Sequence, residues 1–257
     1  MNLDRYALPE LAARVGTPFY LYDATILRQR AQAVARLTEG PSLQARYAIK
    51  ANPAAKVLEI VREAGLWIDA VSGNEVERAR RAGFAMGNDP PVVMLTADVF
   101  RDNSMEVVLA HGVLPNVGSP GMVDELRRAG YRGPIALRAN PGFGHGHVQS
   151  CDTGGPSSKH GVWHEDLGPV IAAAGRAGMP IVSLHAHVGT GPQPGEFEAN
   201  MRRLADTFAD ALPRFPDLRG VNFGGGIPHP YRPGAPAFNL DGFRSILVEA
   251  AERFAKI

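Results

Sequence analysis

The sequence predicts an α/β fold, a (β/α)8 TIM-like barrel that stops short of its eighth strand. Three observations carry that reading. Short apolar runs alternate with helical patterns from residue 45 onward, and repeated strand–helix units assemble as a parallel sheet with helices outside it. Gly65, Gly83, Gly112 and Gly130 stand just after expected helices, where a left-handed cap favours glycine. The chain has 257 residues, and a closed barrel of this kind takes about 250.

The elements follow in order. Residues 1–37 read as a leader: a short helix at Leu8–Val15, a strand at Phe19–Tyr22 and an amphipathic helix at Ala24–Leu37. Residues 38–257 read as the barrel. Its strands are expected at Tyr47–Ile49, Trp67–Val71, Val92–Leu95, Val113–Asn116, Ile135–Arg138, Ile181–His187 and Gly220–Phe223. The helices between and after them are expected at Ala54–Ala64, Asn74–Ala82, Asn103–His111, Pro120–Ala129, Glu165–Ala174, Glu196–Leu212 and Asp241–Lys256. Val57, Leu58 and Val61 fall at helical spacing, as do Phe243, Ile246, Leu247, Ala250 and Phe254. Pro228–Pro236 reads as a loop within the barrel. Seven β/α units leave the eighth position open, so an exposed sheet edge and apolar surface are expected there.

Composition narrows the function. A formal net charge of +1 gives no electrostatic footprint for nucleic acid or a charged membrane surface. No apolar run approaches the roughly 18 residues of a membrane span, and the first residues carry acids and no apolar core of a signal peptide. The single cysteine, Cys151, excludes an internal disulfide. It reads as an incidental free thiol in a loop. A cytoplasmic protein acting on a small molecule is the expectation, with neither nucleic acid nor membrane as partner.

Four constellations carry chemistry. The run A-R-Y-A-I-K-A-N over Ala45–Asn52 places Lys50 at the C-terminal end of an apolar strand. Partial desolvation there disfavours the ammonium, and a neutral amine can attack an aldehyde. L-H-A-H-V-G-T-G over Leu184–Gly191 puts His185 and His187 on one side of a strand end, suited to stacking, hydrogen bonding or a metal. N-F-G-G-G-I-P over Asn222–Pro228 follows a strand and reads as a nest of backbone N–H groups for a phosphate. Asn140–Trp163 is a long Gly-, His- and Ser-rich loop of the kind that serves function. Arg138, at the end of the strand before that loop, points to the same region, with an ion pair to Asp69 or Glu75 as the structural alternative. A metal site is the rival chemistry, from the pairs His145/His147 and His185/His187 and from His160/His164.

Together these motifs resemble the fold-type III pyridoxal-phosphate decarboxylases of basic amino acids, the diaminopimelate decarboxylase branch most closely. Y-A-I-K-A-N resembles that family's cofactor-lysine motif, H-A-H-V-G-T-G its H-x-H segment, and F-G-G-G its phosphate glycines. W-I-D-A-V-S-G-N-E-V-E-R-A over Trp67–Ala79 resembles its second strand, and T-G-G-P-S-S-K-H-G-V-W is the stretch most typical of the branch. The resemblance implies a barrel of the alanine racemase kind and pyridoxal 5'-phosphate as cofactor. It implies that Lys50 carries the cofactor as a Schiff base and that His187 stacks on its ring. Gly224, Gly225 and Gly226 hold the phosphate with Thr190 nearby, and Asp69 and Arg138 line the base of the site. The implied reaction is decarboxylation of meso-diaminopimelate to L-lysine and carbon dioxide by a homodimer. The alternatives are a related decarboxylase of polyamine or siderophore synthesis, or a non-catalytic truncated homologue. The family's E-P-G-R motif and C-terminal β domain are absent from these residues. The 257-residue chain is therefore expected to be inactive alone, with Phe19–Tyr22 expected to pair with that domain.

Overall fold

The computed structural model describes residues 3–40, 42–146, 151–191, 193–230, 234 and 237–256. Two helices open the chain, α1 (Leu8–Val15) and α2 (Ala24–Leu37). Asp23 caps α2, its carboxylate accepting from the N–H groups of Thr25 (2.7 Å) and Ile26 (3.1 Å). Such a cap satisfies donors that a helix start leaves unpaired. Phe19–Tyr22, expected to pair with a domain outside these residues, has no regular secondary structure here. The segment has no ladder partner among the described residues, and Tyr20 stands 90% exposed. An aromatic and aliphatic run marks a segment able to pair, but a strand forms only where a partner lies alongside.

Then the β/α repeat begins. Its strands are β1 (Arg46–Ala48), β2 (Trp67–Ala70), β3 (Val93–Thr96), β4 (Leu114–Val117) and β5 (Ile135–Asn140). Two short pieces follow, β6 (His145–Gly146) and β7 (Val162–Trp163), then β8 (Ile181–His185), a further piece β9 (Gly189–Thr190), and β10 (Gly220–Asn222). The helices are α3 (Ala55–Glu63), α4 (Gly73–Arg81), α5 (Ser104–His111), α6 (Pro120–Arg128), α7 (Gly168–Ala177), α8 (Pro194–Ala211) and α9 (Leu240–Phe254). Helix α7 starts three residues later than the pattern suggested. Pro169 takes its first turn, where no N–H is needed, and Gly178 ends it in the left-handed region. Gly112 closes α5 in the same conformation, and Gly65, Gly83 and Gly130 also have positive φ.

Seven strands form one curled parallel sheet in the order β1-β2-β3-β4-β5-β8-β10, with β7 added beside the top of β5. The edges β1 and β10 do not pair with each other. The helix layer nonetheless closes over that seam: α2 packs between α3 and α9, and Arg244 on α9 donates to the Glu39 carbonyl at 2.7 Å.

Alternate residues of each strand face the helices. Ile68, Leu95, Val117, Ile135, Leu137 and Leu184 belong to the main core and are almost wholly buried, each contributing about 1.5–3 kcal/mol by leaving water. The other face points into the lumen in two layers. Met94, Leu114, Ala136 and Val182 form a separate apolar cluster. Two residues further along β3, β4 and β5 stand Thr96, Asn116 and Arg138. The lumen therefore turns from apolar to polar toward the C-terminal ends of its strands, the end at which barrel sites are built.

Candidate active site

A cavity of about 2650 Å³ opens at that polar end and is continuous with the lumen and the seam. Its walls include Lys50, Asp69, Arg138, His187, Thr190, Gly224, Gly225 and Gly226, together with residues along the whole seam such as Asp89 and Pro213.

Lys50 sits in the 3₁₀ turn Ile49–Ala51 that follows β1. Buried Ile49 anchors the turn from below, while the Tyr47 hydroxyl donates to the Asn52 carbonyl at 3.2 Å. The expectation that Lys50 is held partly out of water is not met: its side chain is exposed. The turn projects it into the wide cavity instead of letting it end a sealed strand.

The two histidines differ. Strand β8 stops at His185, which is buried, and His187 follows in irregular backbone. Both line the cavity. His187 Nδ1 accepts the Gly225 N–H at 3.2 Å. Burial pushes its pKa down to about 3, and Arg138 and Lys50 push the same way, so the imidazole is neutral with its proton on Nε2. His185 is held well below the ordinary range by burial, then by Arg138, His187 and Lys50.

Asp69 accepts the Thr96 hydroxyl at 2.5 Å. Burial pushes its carboxyl up, while the Thr96 hydrogen bond and the charges of Lys50, Arg46 and Arg138 pull it back. Asn116 Nδ2 lies 3.2 Å from Thr96 Oγ1 and 2.7 Å from His185 Nδ1. Sequence reasoning missed Thr96 and Asn116. Their signal was a polar residue at an inward position two past an apolar one, on neighbouring strands.

Arg138 takes neither partner expected for it. Its Nη1 meets Asp98 at 3.4 Å, and His160 meets the same carboxylate at 2.9 Å. Glu75 instead accepts the Val71 N–H at 2.8 Å, opposite the Ser72 cap of α4. The β3–α5 connection brings Asp98 over the Arg138 strand end, and no sequence spacing reports that approach.

The glycine run differs in part from an open nest. Gly224 N–H donates to Asn222 Oδ1 at 2.8 Å and Gly225 N–H to His187. Flanking side chains thus intercept two of its donors. Its close packing is pronounced: a Cβ on Gly226 would lie 2.1 Å from the Gly189 carbonyl oxygen, whereas one on Gly225 would meet open space.

The loop after β5 is built onto this wall. Strands β6 and β9 pair, His145 opposite Gly189. Thr153 Oγ1 donates to the His187 carbonyl at 2.9 Å, and Asn140 bridges Gly142 N–H and the Gly155 carbonyl. Among the described residues no three His, Cys, Asp or Glu side chains gather as a metal site. His145 is buried against Asn200 (2.6 Å), and His164 packs on Trp163. His147 lies outside the described residues. Cys151 forms no disulfide and borders the cavity. No described helix is long and apolar enough to cross a membrane.

Comparison with known proteins gives a consistent picture. Residues 24–256 match the family described as pyridoxal-dependent decarboxylase, pyridoxal binding domain. The chain is 38% identical over 251 residues to a diaminopimelate decarboxylase of Streptomyces coelicolor, covering 98% of this chain and 55% of that protein. It is 33% identical over 250 residues to the diaminopimelate decarboxylase of Escherichia coli strain K12, covering 97% and 57%. A crystal structure of diaminopimelate decarboxylase superimposes with a TM-score of 0.86 at 32% identity, again over 97% of this chain and 57% of the other. The chain spans about half the length of the curated relatives it matches.

Proposed function

This chain belongs to the pyridoxal-dependent decarboxylases, and on that premise we propose that it is the cofactor-binding part of an enzyme that converts meso-diaminopimelate to L-lysine and carbon dioxide. The observation that carries the proposal is that Lys50, Asp69, Arg138 and His187 lie near enough for their charges to act on one another, with Gly225 hydrogen-bonded to His187 and Thr190 and the 224–226 glycines on the same cavity wall. Barrel enzymes collect residues from separate strand ends in this way. Resemblance to named diaminopimelate decarboxylases supports the substrate. The reading includes a homodimer in the cytoplasm, and a boundary at residue 38 between the leader and the barrel.

The residues present fit pyridoxal phosphate. A Cβ on Gly224 would lie 2.6 Å from the Ala186 carbonyl oxygen, so backbone alone can occupy that edge, and the Gly225 position opens to the cavity. Lys50 and Arg138 supply positive charge beside it. The cofactor, when bound, supplies an electron sink for the pair left behind as carbon dioxide departs.

The chain's own residues have distinct tasks. Lys50 Nζ is the amine that would hold the cofactor covalently. His187 offers a flat, uncharged face, since its pKa of about 3 keeps it neutral. Its Nδ1 is committed to Gly225 N–H, so any proton it gives leaves from Nε2. Arg138, fixed by Asp98, orients anionic groups. Thr153 holds the long loop against the His187 segment of the cavity wall, and Asn140 braces the loop internally.

The test uses the full-length protein. Pyridoxal phosphate should give a visible absorption band that Lys50→Ala removes, and meso-diaminopimelate should release carbon dioxide. A band that survives the substitution would overturn the lysine assignment. Release from ornithine or arginine but not from meso-diaminopimelate would overturn the substrate.

A further inference from the structure

Beside the cavity, Asp69, Thr96, Asn116 and His185 form a hydrogen-bonded chain whose donors point outward from Asn116. The Thr96 hydroxyl donates to Asp69 Oδ1 at 2.5 Å. Asn116 Nδ2 reaches Thr96 Oγ1 at 3.2 Å and His185 Nδ1 at 2.7 Å. Strand register puts these residues together: Thr96 pairs with Asn116 across β3 and β4, and Arg138 pairs with His185 across β5 and β8.

Proton inventory orients each link. A hydroxyl has one proton, and Thr96 commits it to the Asp69 carboxylate. Its remaining lone pairs must face a donor, so Asn116 has to present N–H and not its carbonyl. The amide has two N–H groups, and the second points at His185 Nδ1. That nitrogen is then an acceptor, and the imidazole proton resides on Nε2. Asn116 is 1% exposed, and its Oδ1 is buried with no partner among the described residues. An apolar side chain like Leu114, two residues earlier, would fill the position without that orphan acceptor. The geometry therefore suits a task in hydrogen bonding more than one in packing.

We propose that Asn116 is a positioning residue: oriented from Asp69 through Thr96, it fixes His185 as the neutral tautomer with its proton on Nε2, ready to donate toward the cavity that His185 lines. Burial and the facing groups Arg138, His187 and Lys50 all disfavour a second proton on that ring. The Nε2–H is then a fixed donor for an electron-rich atom of the bound cofactor or of a substrate carboxylate. Only this consequence rests on the cofactor assignment. The tautomer itself does not.

The test is nitrogen NMR of the full-length protein with labelled histidine, first without cofactor. At neutral pH the His185 Nδ1 should resonate as a bare, acceptor nitrogen and Nε2 as a protonated one. Asn116→Asp should reverse the tautomer, because a carboxylate draws the proton to Nδ1, and should raise the pH at which the ring takes a second proton. Thr96→Val frees the amide to turn and should give a mixture of tautomers, and Thr96→Ser should restore the wild-type pattern. A purely structural role for Asn116 would lower Tm in the variants and leave the tautomer unchanged, and that result overturns the proposal. So does a wild-type His185 protonated on Nδ1 at neutral pH, a measurement that needs no variant to fold. Failure of the cofactor assignment would be seen separately, as a visible band that does not depend on Lys50.

Discussion

Gly226→Ala should damage the site through the backbone alone. Gly226 has φ +88°, where an alanine carries a penalty of about 1–2 kcal/mol. The added Cβ would also lie 2.1 Å from the Gly189 carbonyl oxygen. Gly189 cannot retreat easily, because its own Cβ position is 1.7 Å from the His145 carbonyl oxygen. Relief must come from shifting the 224–226 turn on the order of 1 Å into the cavity, and a displacement of that size in a positioned site can cost about 100-fold in rate. The full-length variant should bind pyridoxal phosphate more weakly in an absorption titration. Its Tm should fall as the strain is taken up. Gly225→Ala is the contrast: its Cβ meets open space, so Tm should stay unchanged while cofactor affinity drops, because the methyl fills space the ligand needs. A Gly226→Ala protein with wild-type Tm and affinity would refute the claim that backbone contact with Gly189 sets this wall.

Other outcomes follow from the same geometry. The folded-state pKa of His187 is pushed from 6.5 down to about 3 by burial, then by Arg138 and Lys50, so below 6.5 the unfolded chain binds a proton that the folded chain refuses. The stability tied to this group should be full above pH 6.5 and fall through that window by about 1.4 kcal/mol per pH unit; His187→Gln should flatten that part of the acid-denaturation profile, and an unchanged slope would count against it. Arg138→Gln should raise the NMR titration midpoints of both His187 and His185, since its charge lowers each; midpoints that stay put would show that burial alone sets them. Asn140→Ala should remove the bridge between Gly142 N–H and the Gly155 carbonyl, cost about 1–3 kcal/mol, and speed proteolysis within residues 151–163; resistance equal to wild type would mean that β6–β9 pairing suffices to hold the loop.

Much of the barrel is visible in the sequence because its signals are local. Helical spacing in α3 and α9, caps at Gly65, Gly83, Gly112 and Gly130, and apolar runs at the strands are properties of neighbours along the chain. The candidate site residues stand out for a related reason. At a strand's C-terminal end, chemistry is carried by short motifs, and a barrel gathers all such ends at one mouth.

What tertiary structure decided concerns partners and solvent. Asp98 instead of Asp69 or Glu75 engages Arg138, across 40 residues of separation, because the β3–α5 connection folds over that strand end. Lys50 stands exposed and not in a sealed pocket, because the 3₁₀ turn after β1 projects it into the cavity. Phe19–Tyr22 has no ladder among the described residues, since pairing needs a second backbone. Thr96 and Asn116 looked like ordinary strand residues until strand register placed them between Asp69 and His185. Periodicity and residue chemistry are written in adjacent positions, so the sequence by itself determined the fold class and the cofactor motifs. Solvation and hydrogen-bond partnership depend on distances between residues far apart in the chain, and those exist only once the sheet has curled.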